Sequence, residues 1–156
     1  MSVSASAPAL EFAFEIRARI SQPLRAGPGR LGERQHIPIT GGSVSGPRLQ
    51  GCILPGGSDW ALSRNDGSTL VDAHYTVQAD DGALIYVHNR GLRVSSAEVL
   101  ERLRRGDAVA PQEMYFRSTP VFDAPDGPHA WLSDHVFVAS LARVGAEMHI
   151  QVFVVL

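Results

Sequence analysis

The chain of 156 residues has a single cysteine, Cys52, and little net charge. One thiol cannot form an intrachain disulfide, and it cannot supply the several cysteines of a structural zinc site. The formal net charge is −2, and the arginines are spread singly along the sequence rather than in the basic stripe typical of nucleic-acid-binding proteins. We therefore expect no nucleic-acid partner.

Long apolar runs are also missing. No stretch approaches the roughly 20 apolar residues of a membrane-spanning helix. The N-terminus, MSVSASAPAL, lacks the basic and then apolar segments of a secretory signal. These features predict a cytoplasmic protein without a membrane partner. We interpret residues 1–8 as a disordered leader and residues 9–156 as one domain, since a chain of this length with 44% hydrophobic residues can bury one sizeable core.

Alternating apolar and polar residues indicate that most of the chain is β-structure. Residues 12–20 and 147–156 each follow this two-residue period, which is typical of half-buried antiparallel strands. No βαβ rhythm is present, so a parallel sheet is not expected. The pattern predicts an all-β fold, a closed or nearly closed antiparallel barrel of about eight to ten strands with one short helix. A two-sheet sandwich is the alternative.

One helix is predicted between Ser95 and Gly106. Ser95 and Glu98 have the spacing of a capping box, and an apolar stripe follows them. This helix is interpreted as a lid over one barrel end or a plug against it. A connector packed on the outside is the equal alternative.

Strands at residues 69–79 and 83–90 are predicted to form a hairpin through Asp80-Asp81-Gly82. If Ala79 faces Gly82, then Tyr75 faces Tyr86. One side of the hairpin would then be apolar at one end and polar-aromatic at the other, as expected of a ligand-holding interior. That side would carry Val71, Ala73, Tyr75, Val77, Leu84, Tyr86, His88 and Arg90.

A glycine-rich stretch, residues 32–60, places polar and aromatic side chains beside tight turns. Asp59 precedes Trp60, and a carboxylate desolvated by an indole is suited to general acid or base work. The alternative is that Asp59 only caps its turn. Arg34 and Arg117 could stabilise developing oxyanion charge, unless they are ordinary surface residues.

Other polar and aromatic residues are predicted to hold the substrate inside the barrel, with core packing as the alternative for the aromatic ones. These substrate-binding candidates are Trp60, Tyr75, Tyr86, His88, Arg90, Tyr115, Trp131 and His36. The six histidines show neither His-x-His nor HExxH spacing. We expect no metal and no other cofactor, and three histidines brought together across strands are the alternative.

Several blocks of the sequence resemble domain-of-unknown-function family 3237, small uncharacterised β-barrel proteins. The blocks are LGERQHIPITGGSVSGPRLQGCILPGGSDW, DAHYTVQADDGALIYVHNRG, YFRSTPVFDAPDGPHAWL and a final FVAS…VFVV. The resemblance implies an antiparallel barrel with an internal cavity, and some fungal relatives are associated with ring closure. Cys52 stands where a basic or polar residue is common in the family, and His74 stands where arginine is common.

Together these observations predict a barrel that binds a small, partly apolar, oxygenated molecule inside. It would catalyse cofactor-independent acid/base chemistry of the cyclisation, isomerisation or lyase type. A non-catalytic carrier is the alternative, and a purely structural partner protein is a third interpretation. The alternating terminal strands could also support a homodimer.

Overall fold

A computed structural model describes residues 2–156. It contains eleven strands, one α-helix and two short 3₁₀ turns, at Pro111–Glu113 and Ala130–Ser133. The strands are β1 (Leu10–Ile20), β2 (Leu24–Gly29), β3 (Gly32–Ser45), β4 (Gly51–Ile53), β5 (Gly57–Asp59), β6 (Leu62–Ser63), β7 (Thr69–Ala79), β8 (Leu84–Val94), β9 (Tyr115–Asp123), β10 (Phe137–Val144) and β11 (Glu147–Val155). The helix α1 spans Ala97–Arg104. It is too short to cross a bilayer, and the described residues contain no helix long and apolar enough to do so.

The strands close into an antiparallel barrel. The sheet runs β1-β11-β10-β9-β8-β7 and returns to β1 through β3, which pairs with it. Between β7 and β3, the short strands β4, β5 and β6 follow one another as a single interrupted strand, which makes a ring of eight. Strand β2 pairs only with β3 and lies outside the ring. The predicted closed barrel with one helix is confirmed, and the two-sheet alternative is wrong.

Glycine allows the closing contact between β1 and β3. Gly42 has φ +145° and lies opposite Ala18. A Cβ at this position would overlap the backbone carbonyl oxygen of Arg17 and approach the Ile53 side chain. Only glycine tolerates both this backbone conformation and this close approach of strands.

The inner face of the barrel is filled by apolar side chains along most of its length. This core includes Phe14, Ile16, Val77, Ile85, Val87, Phe122, Phe137, Val152 and Val154. The expectation of an empty interior is therefore wrong for the centre of the barrel. The centre is packed because the alternating apolar residues of neighbouring strands all point inward.

The two ends of the barrel differ. We call the end at the β7–β8 turn the turn end, and the end where β8 leads into α1 the helix end. Leu49 and Leu132 are buried near the turn end, and Trp131 packs against the same core. Toward the helix end the inner face becomes polar, and the candidate site described below begins there.

The helix is present but does not plug the barrel. Its N-cap is Ser96, whose hydroxyl accepts the Val99 backbone N–H at 3.2 Å, one residue later than the predicted cap. Val99 is buried, yet it is not part of the core cluster inside the barrel. The Leu100 side chain lies against Gly67 in the β6–β7 turn. These contacts favour a connector packed beside the helix end.

Candidate functional site

The pairing of β7 with β8 decides which candidate residues share a face. Ala79 bonds to Ala83 across the turn rather than facing Gly82, so the predicted register is wrong by one residue. Tyr75 therefore faces Val87, and His74 faces His88. A one-residue slip exchanges the faces of a whole strand. Tyr86, His88 and Arg90 consequently lie on the outer face and not inside.

A small set of polar side chains does face inward near the helix end. We call Asp59, Tyr75, Asn89 and Ser118 the inner polar group. Asp59 on β5 pairs with Ala73 on β7, and Ala73 pairs with Asn89 on β8. Asp59 and Asn89 therefore lie in one row across three neighbouring strands. Strands are spaced about 4.8 Å apart, which puts the two Cα atoms about 10 Å apart. The small side chain of Ala73 stands between them.

Asp59 is the carboxyl member of the inner polar group. Its Oδ1 accepts one hydrogen bond, 2.9 Å from the backbone N–H of Asp72. Burial raises the pKa of Asp59 to about 6, against the lowering effect of this hydrogen bond, and the charge of Asp72 raises it further. The predicted desolvated carboxyl is thus found, but the desolvation comes from the barrel rather than from Trp60, which lies on the outer face.

The other three members are buried without hydrogen-bond partners. Within residues 2–156, no group bonds to Tyr75 Oη, Asn89 Oδ1 or Ser118 Oγ. Asn89 is 1% exposed, Ser118 4% and Tyr75 4%. Buried polar atoms are normally paired because an unpaired one costs roughly 1–3 kcal/mol. Burial also raises the pKa of Tyr75, which keeps its phenol protonated.

Sequence reasoning missed Asn89 and Ser118. The available signal was a polar residue at an inward position of an otherwise apolar alternation, as in Ile85, Val87, Asn89 and Phe116, Ser118, Phe122. Ser118 fits on the inner face because the residue opposite it, Gly91, has no side chain. A Cβ added at Gly91 would lie 2.9 Å from the Cβ of Ser118.

Arg93 places a positive charge at the opening of the barrel at the helix end. Arg93 follows Asn89 on the inner face of β8, and its guanidinium donates to Thr69 Oγ1 at 3.1 Å. It forms no ion pair with a carboxylate of residues 2–156, while burial and the charge of Arg143 lower its pKa. An unpaired, half-buried guanidinium is suited to an anionic or oxygen-rich ligand group.

A second cluster lies on the outer face of the same two strands. We call Asp72, His74, Tyr86 and His88 the outer cluster. His88 Nε2 is 2.7 Å and His74 Nε2 is 3.3 Å from Asp72 Oδ1. The two imidazole rings stack with centroids 4.0 Å apart, and the Tyr86 hydroxyl hydrogen-bonds His74 Nδ1. Burial raises the pKa of Asp72, but the hydrogen bond from His88 and the nearby cationic groups outweigh it and lower that pKa.

Three predicted residues continue this outer face. His36 stacks on Trp60 with ring centroids 4.1 Å apart, and its Nε2 is 2.6 Å from Ser58 Oγ. Arg34 donates to the Trp60 carbonyl at 3.1 Å. Since Ser58 pairs with His74, this group borders the outer cluster.

Two shallow depressions flank Tyr86 on the outer surface. The first has a volume of about 350 Å³ and is lined by Leu54, Pro55, Gly56, Gly57, His74, Tyr75, Thr76 and Tyr86. The second, about 340 Å³, lies toward Pro125 and shares Thr76 and Tyr86. A ligand at the outer cluster would rest in the first.

The remaining candidates lie apart from both groups. Arg117 and Tyr115 are on the outer face of β9, opposite Leu92 and Val94, with the guanidinium 5.6 Å from the tyrosine ring centroid. Trp131 packs near the turn end, where the Arg48 guanidinium lies 4.0 Å from its ring centroid. The predicted site residues thus fall into three sets: those on the inner face, those on the outer face near the outer cluster, and Arg117, Tyr115 and Trp131. The roles of all of these residues stay predictions.

Comparison with known proteins defines the class of this barrel. A model of the family described as protein of unknown function (DUF3237) matches residues 8–155. The UPF0311 protein RPA1785 of Rhodopseudomonas palustris is 39% identical over 96% of this chain and 99% of its own. Its crystal structure, described as a conserved protein of unknown function, matches with a TM-score of 0.92, 37% identity and coverage of 97% and 100%. A beta-barrel like protein from Acinetobacter baumannii is 32% identical, with a TM-score of 0.87 and coverage of 99% and 100%.

This chain therefore belongs to the DUF3237 family, as its resemblance implied. A more distant relative has a printed activity: the hydroalkoxylation enzyme phnH of Penicillium herquei, 35% identical over 51% of this chain and 53% of that protein. The crystal structure of an enzyme from the same organism matches with a TM-score of 0.70 and 21% identity, covering 97% of this chain and 99% of that one, which shows a shared fold. A catalytic or binding role is consistent with these matches.

Proposed function

We propose that the protein is a cofactor-independent acid/base catalyst that acts on a small, partly apolar, hydroxyl-bearing molecule at the helix end of the barrel. The observation that carries this proposal is the position of Asp59, a half-buried inward-facing carboxyl in one row with the unpartnered amide oxygen of Asn89. Polar groups left unpaired in an apolar interior are suited to orient a ligand. Arg93 at the mouth would attract its oxygen atoms.

The chemistry follows the kind of reaction that the Penicillium relative's name describes. In hydroalkoxylation, a hydroxyl group adds across a carbon–carbon double bond. A protonated Asp59 donates its proton to one alkene carbon, and the hydroxyl oxygen bonds to the other carbon as the π bond breaks. The hydroxyl proton then returns to the Asp59 carboxylate. The product is an isomer of the substrate, so no oxidant, reductant or cofactor is consumed.

The inner polar group supplies what this step needs. A carboxyl whose pKa lies near the working pH can both give and accept a proton. Asn89 and Ser118 can hold the hydroxyl group in place, and the apolar core below them excludes water from the cationic intermediate. Arg34 and Arg117, expected to stabilise developing oxyanion charge, lie on the outer face. The charge that develops in this reaction is positive, so we assign Arg93 only to attracting the oxygen atoms of the substrate and Asn89 to orienting its hydroxyl group.

The test is a set of small alkenes that carry a hydroxyl group within ring-closing distance, incubated with the protein in D₂O. Turnover gives an isomer of unchanged elemental composition with one deuterium on the newly protonated carbon, visible by NMR and mass spectrometry. We expect Asp59→Asn to abolish deuterium incorporation while ligand binding, followed by saturation-transfer NMR, persists. Unchanged turnover in Asp59→Asn would contradict the assignment of the proton donor.

A matched control is Asp81→Asn at the turn end, which removes an exposed carboxylate and should leave turnover unchanged. Binding of the alkenols without any isomer or deuterium would identify a carrier instead of an enzyme. Absence of both binding and turnover with every member would contradict the substrate class.

A further inference from the structure

From the outer cluster we infer that the protein has a metal site, in which Asp72 Oδ1, His74 Nε2 and His88 Nε2 bind a divalent first-row transition metal ion, with Zn²⁺ as the best match. This site is on the opposite face of β7 and β8 from Asp59 and does not depend on the proposed function. The three ligand atoms lie within 4.8 Å of one another.

Side-chain movements within the cluster would let it accept an ion, because the two stacked imidazole rings must turn so that both Nε2 lone pairs converge on one point. Zinc binds imidazole nitrogen and carboxylate oxygen at about 2.0–2.2 Å, which separates tetrahedral ligand atoms by about 3.4 Å. His74 Nε2 is already 3.3 Å from Asp72 Oδ1, and His88 Nε2 at 2.7 Å needs to withdraw by about 0.7 Å. Adjacent strands hold both rings, since His74 and His88 are directly opposite in the ladder.

Tyr86 completes the arrangement as a positioning residue. Its hydroxyl bonds to Nδ1 of His74, so with Nδ1 carrying the proton the lone pair of Nε2 is directed at the ion. An outer partner of this kind fixes the tautomer and orientation of a metal-binding histidine. Without an ion, the same contacts would be a hydrogen-bonded surface cluster, and this is the alternative that the experiment must exclude.

The donor set selects the kind of metal. Two neutral imidazoles and one carboxylate favour zinc and its first-row neighbours over magnesium or calcium, which prefer oxygen ligands throughout. The ligand side chains are between 32% and 38% exposed, so water or a substrate could complete the coordination. The depression of about 350 Å³ beside His74 and Tyr86 would lie next to that open position.

One neighbouring charge opposes the ion. Arg90 pairs directly with Asp72 in the ladder, and its positive charge contributes to lowering the pKa of that carboxyl. Repulsion between this guanidinium and a bound cation reduces affinity. Arg90→Gln should therefore tighten zinc binding a few-fold, a change that a purely structural cluster would not produce.

The experiment uses the full chain, stripped with a chelator and then titrated with Zn²⁺ by calorimetry and with Co²⁺ by visible spectroscopy. We expect one zinc ion per chain, cobalt bands of a four- or five-coordinate nitrogen–oxygen site, and no comparable binding of Mg²⁺. His74→Gln and His88→Gln should each weaken zinc binding by 100-fold or more, and Tyr86→Phe by about 10–100-fold.

Two matched controls exclude incidental binding. His129→Gln removes a histidine that also contacts a carboxylate, Asp81 at 2.8 Å, but outside the cluster, and Cys52→Ser removes the exposed thiol. Both should bind zinc as the wild type does. Equal zinc affinity in the wild type and in His88→Gln, or loss of binding in Cys52→Ser alone, would overturn the site.

A wild-type measurement keeps the proposal falsifiable if a variant folds poorly. Paramagnetic Co²⁺ should broaden the NMR signals of Tyr86 and Thr76 and leave those of Ala83 at the turn end unchanged. Broadening centred on Cys52, or none at all, would contradict a site formed by β7 and β8.

Discussion

Asp59 and Asp72 are joined by a hydrogen bond that connects the two faces of the sheet. The inward carboxyl of Asp59 accepts the Asp72 backbone N–H at 2.9 Å, while the Asp72 side chain contacts His88 on the outer face. The two carboxyl groups therefore experience opposite environments although they are neighbours. Burial raises the pKa of Asp59 to about 6, whereas hydrogen bonding and nearby cationic groups hold that of Asp72 below its usual range.

Asp59→Asn should stabilise the protein at neutral pH. Because the folded-state pKa of about 6 lies above the usual value of 3.8, the folded protein holds a proton that the unfolded chain releases. Stability from this group is present below pH 4 and is lost as the pH rises to about 6, by roughly 2–3 kcal/mol. Asparagine keeps the hydrogen bond without the charge, so the variant should gain about this amount at pH 7.5 and little at pH 4.

Urea denaturation at the two pH values measures this difference. Asp81→Asn is the control of opposite sign, because a hydrogen bond from the Ala83 backbone and the contact with His129 lower the pKa of Asp81. Its stabilising effect is lost mainly as the pH falls below 3.8, so Asp81→Asn should be less stable than the wild type at both pH values. If the stability difference between the wild type and Asp59→Asn were the same at pH 4 and at pH 7.5, the Asp59 carboxyl would be solvated.

Ser118→Ala should also stabilise the fold. The serine hydroxyl is buried without a partner among residues 2–156, so its removal relieves a desolvation cost of about 1 kcal/mol. Ser133→Ala is the matched control, because that hydroxyl accepts the Ala124 backbone N–H at 3.0 Å and its loss should cost about 1 kcal/mol. Equal destabilisation in both variants would mean that Ser118 is satisfied in solution. Increased stability together with reduced turnover would support a binding role.

A sequence pattern that extends over many residues predicts structure better than one that depends on a single position, and this difference separates the fold from the site. Period-two alternation extends over whole strands, and it was sufficient to predict an antiparallel barrel. Residues 130–141 also predict a strand, but Ala130–Ser133 is a 3₁₀ turn, and the strand β10 begins only at Phe137. Local apolar content there reflects packing of Trp131 and Leu132 near the turn end.

The site was less predictable because it depends on register. The loop between β7 and β8 has three residues, with Gly82 at φ +91°, and not two. Matching the apolar residues Ile85 and Val87 to the inward side of β7 would have given the correct pairing. The slipped register hid the meeting of His74 and His88, and no spacing along the chain reveals a contact that forms between strands.

Ser96→Ala should destabilise α1 by about 1 kcal/mol, because the Ser96 hydroxyl accepts the Val99 N–H. Ser95→Ala tests the neighbouring serine, which the sequence pattern favoured as the cap. Its buried hydroxyl has no partner within residues 2–156, so the substitution should be neutral or slightly stabilising. Hydrogen exchange of the Leu100 and Leu103 amides separates the two variants. Faster exchange in Ser95→Ala than in Ser96→Ala would contradict the observed cap.

Gly42→Ala should be among the most destabilising substitutions in the barrel. At φ +145° an added Cβ is strained, and it would also overlap the Arg17 carbonyl in the contact that closes β3 onto β1. We expect a loss of at least about 3 kcal/mol, or failure to fold.

Gly56→Ala isolates the effect of the close approach, because Gly56 also has a positive φ, +109°, but has no atom within 4 Å of the added Cβ. It should lose only about 1–2 kcal/mol. Thermal denaturation followed by circular dichroism compares the two, and equal losses would show that backbone strain, not the closing contact between the strands, sets the requirement for glycine at position 42.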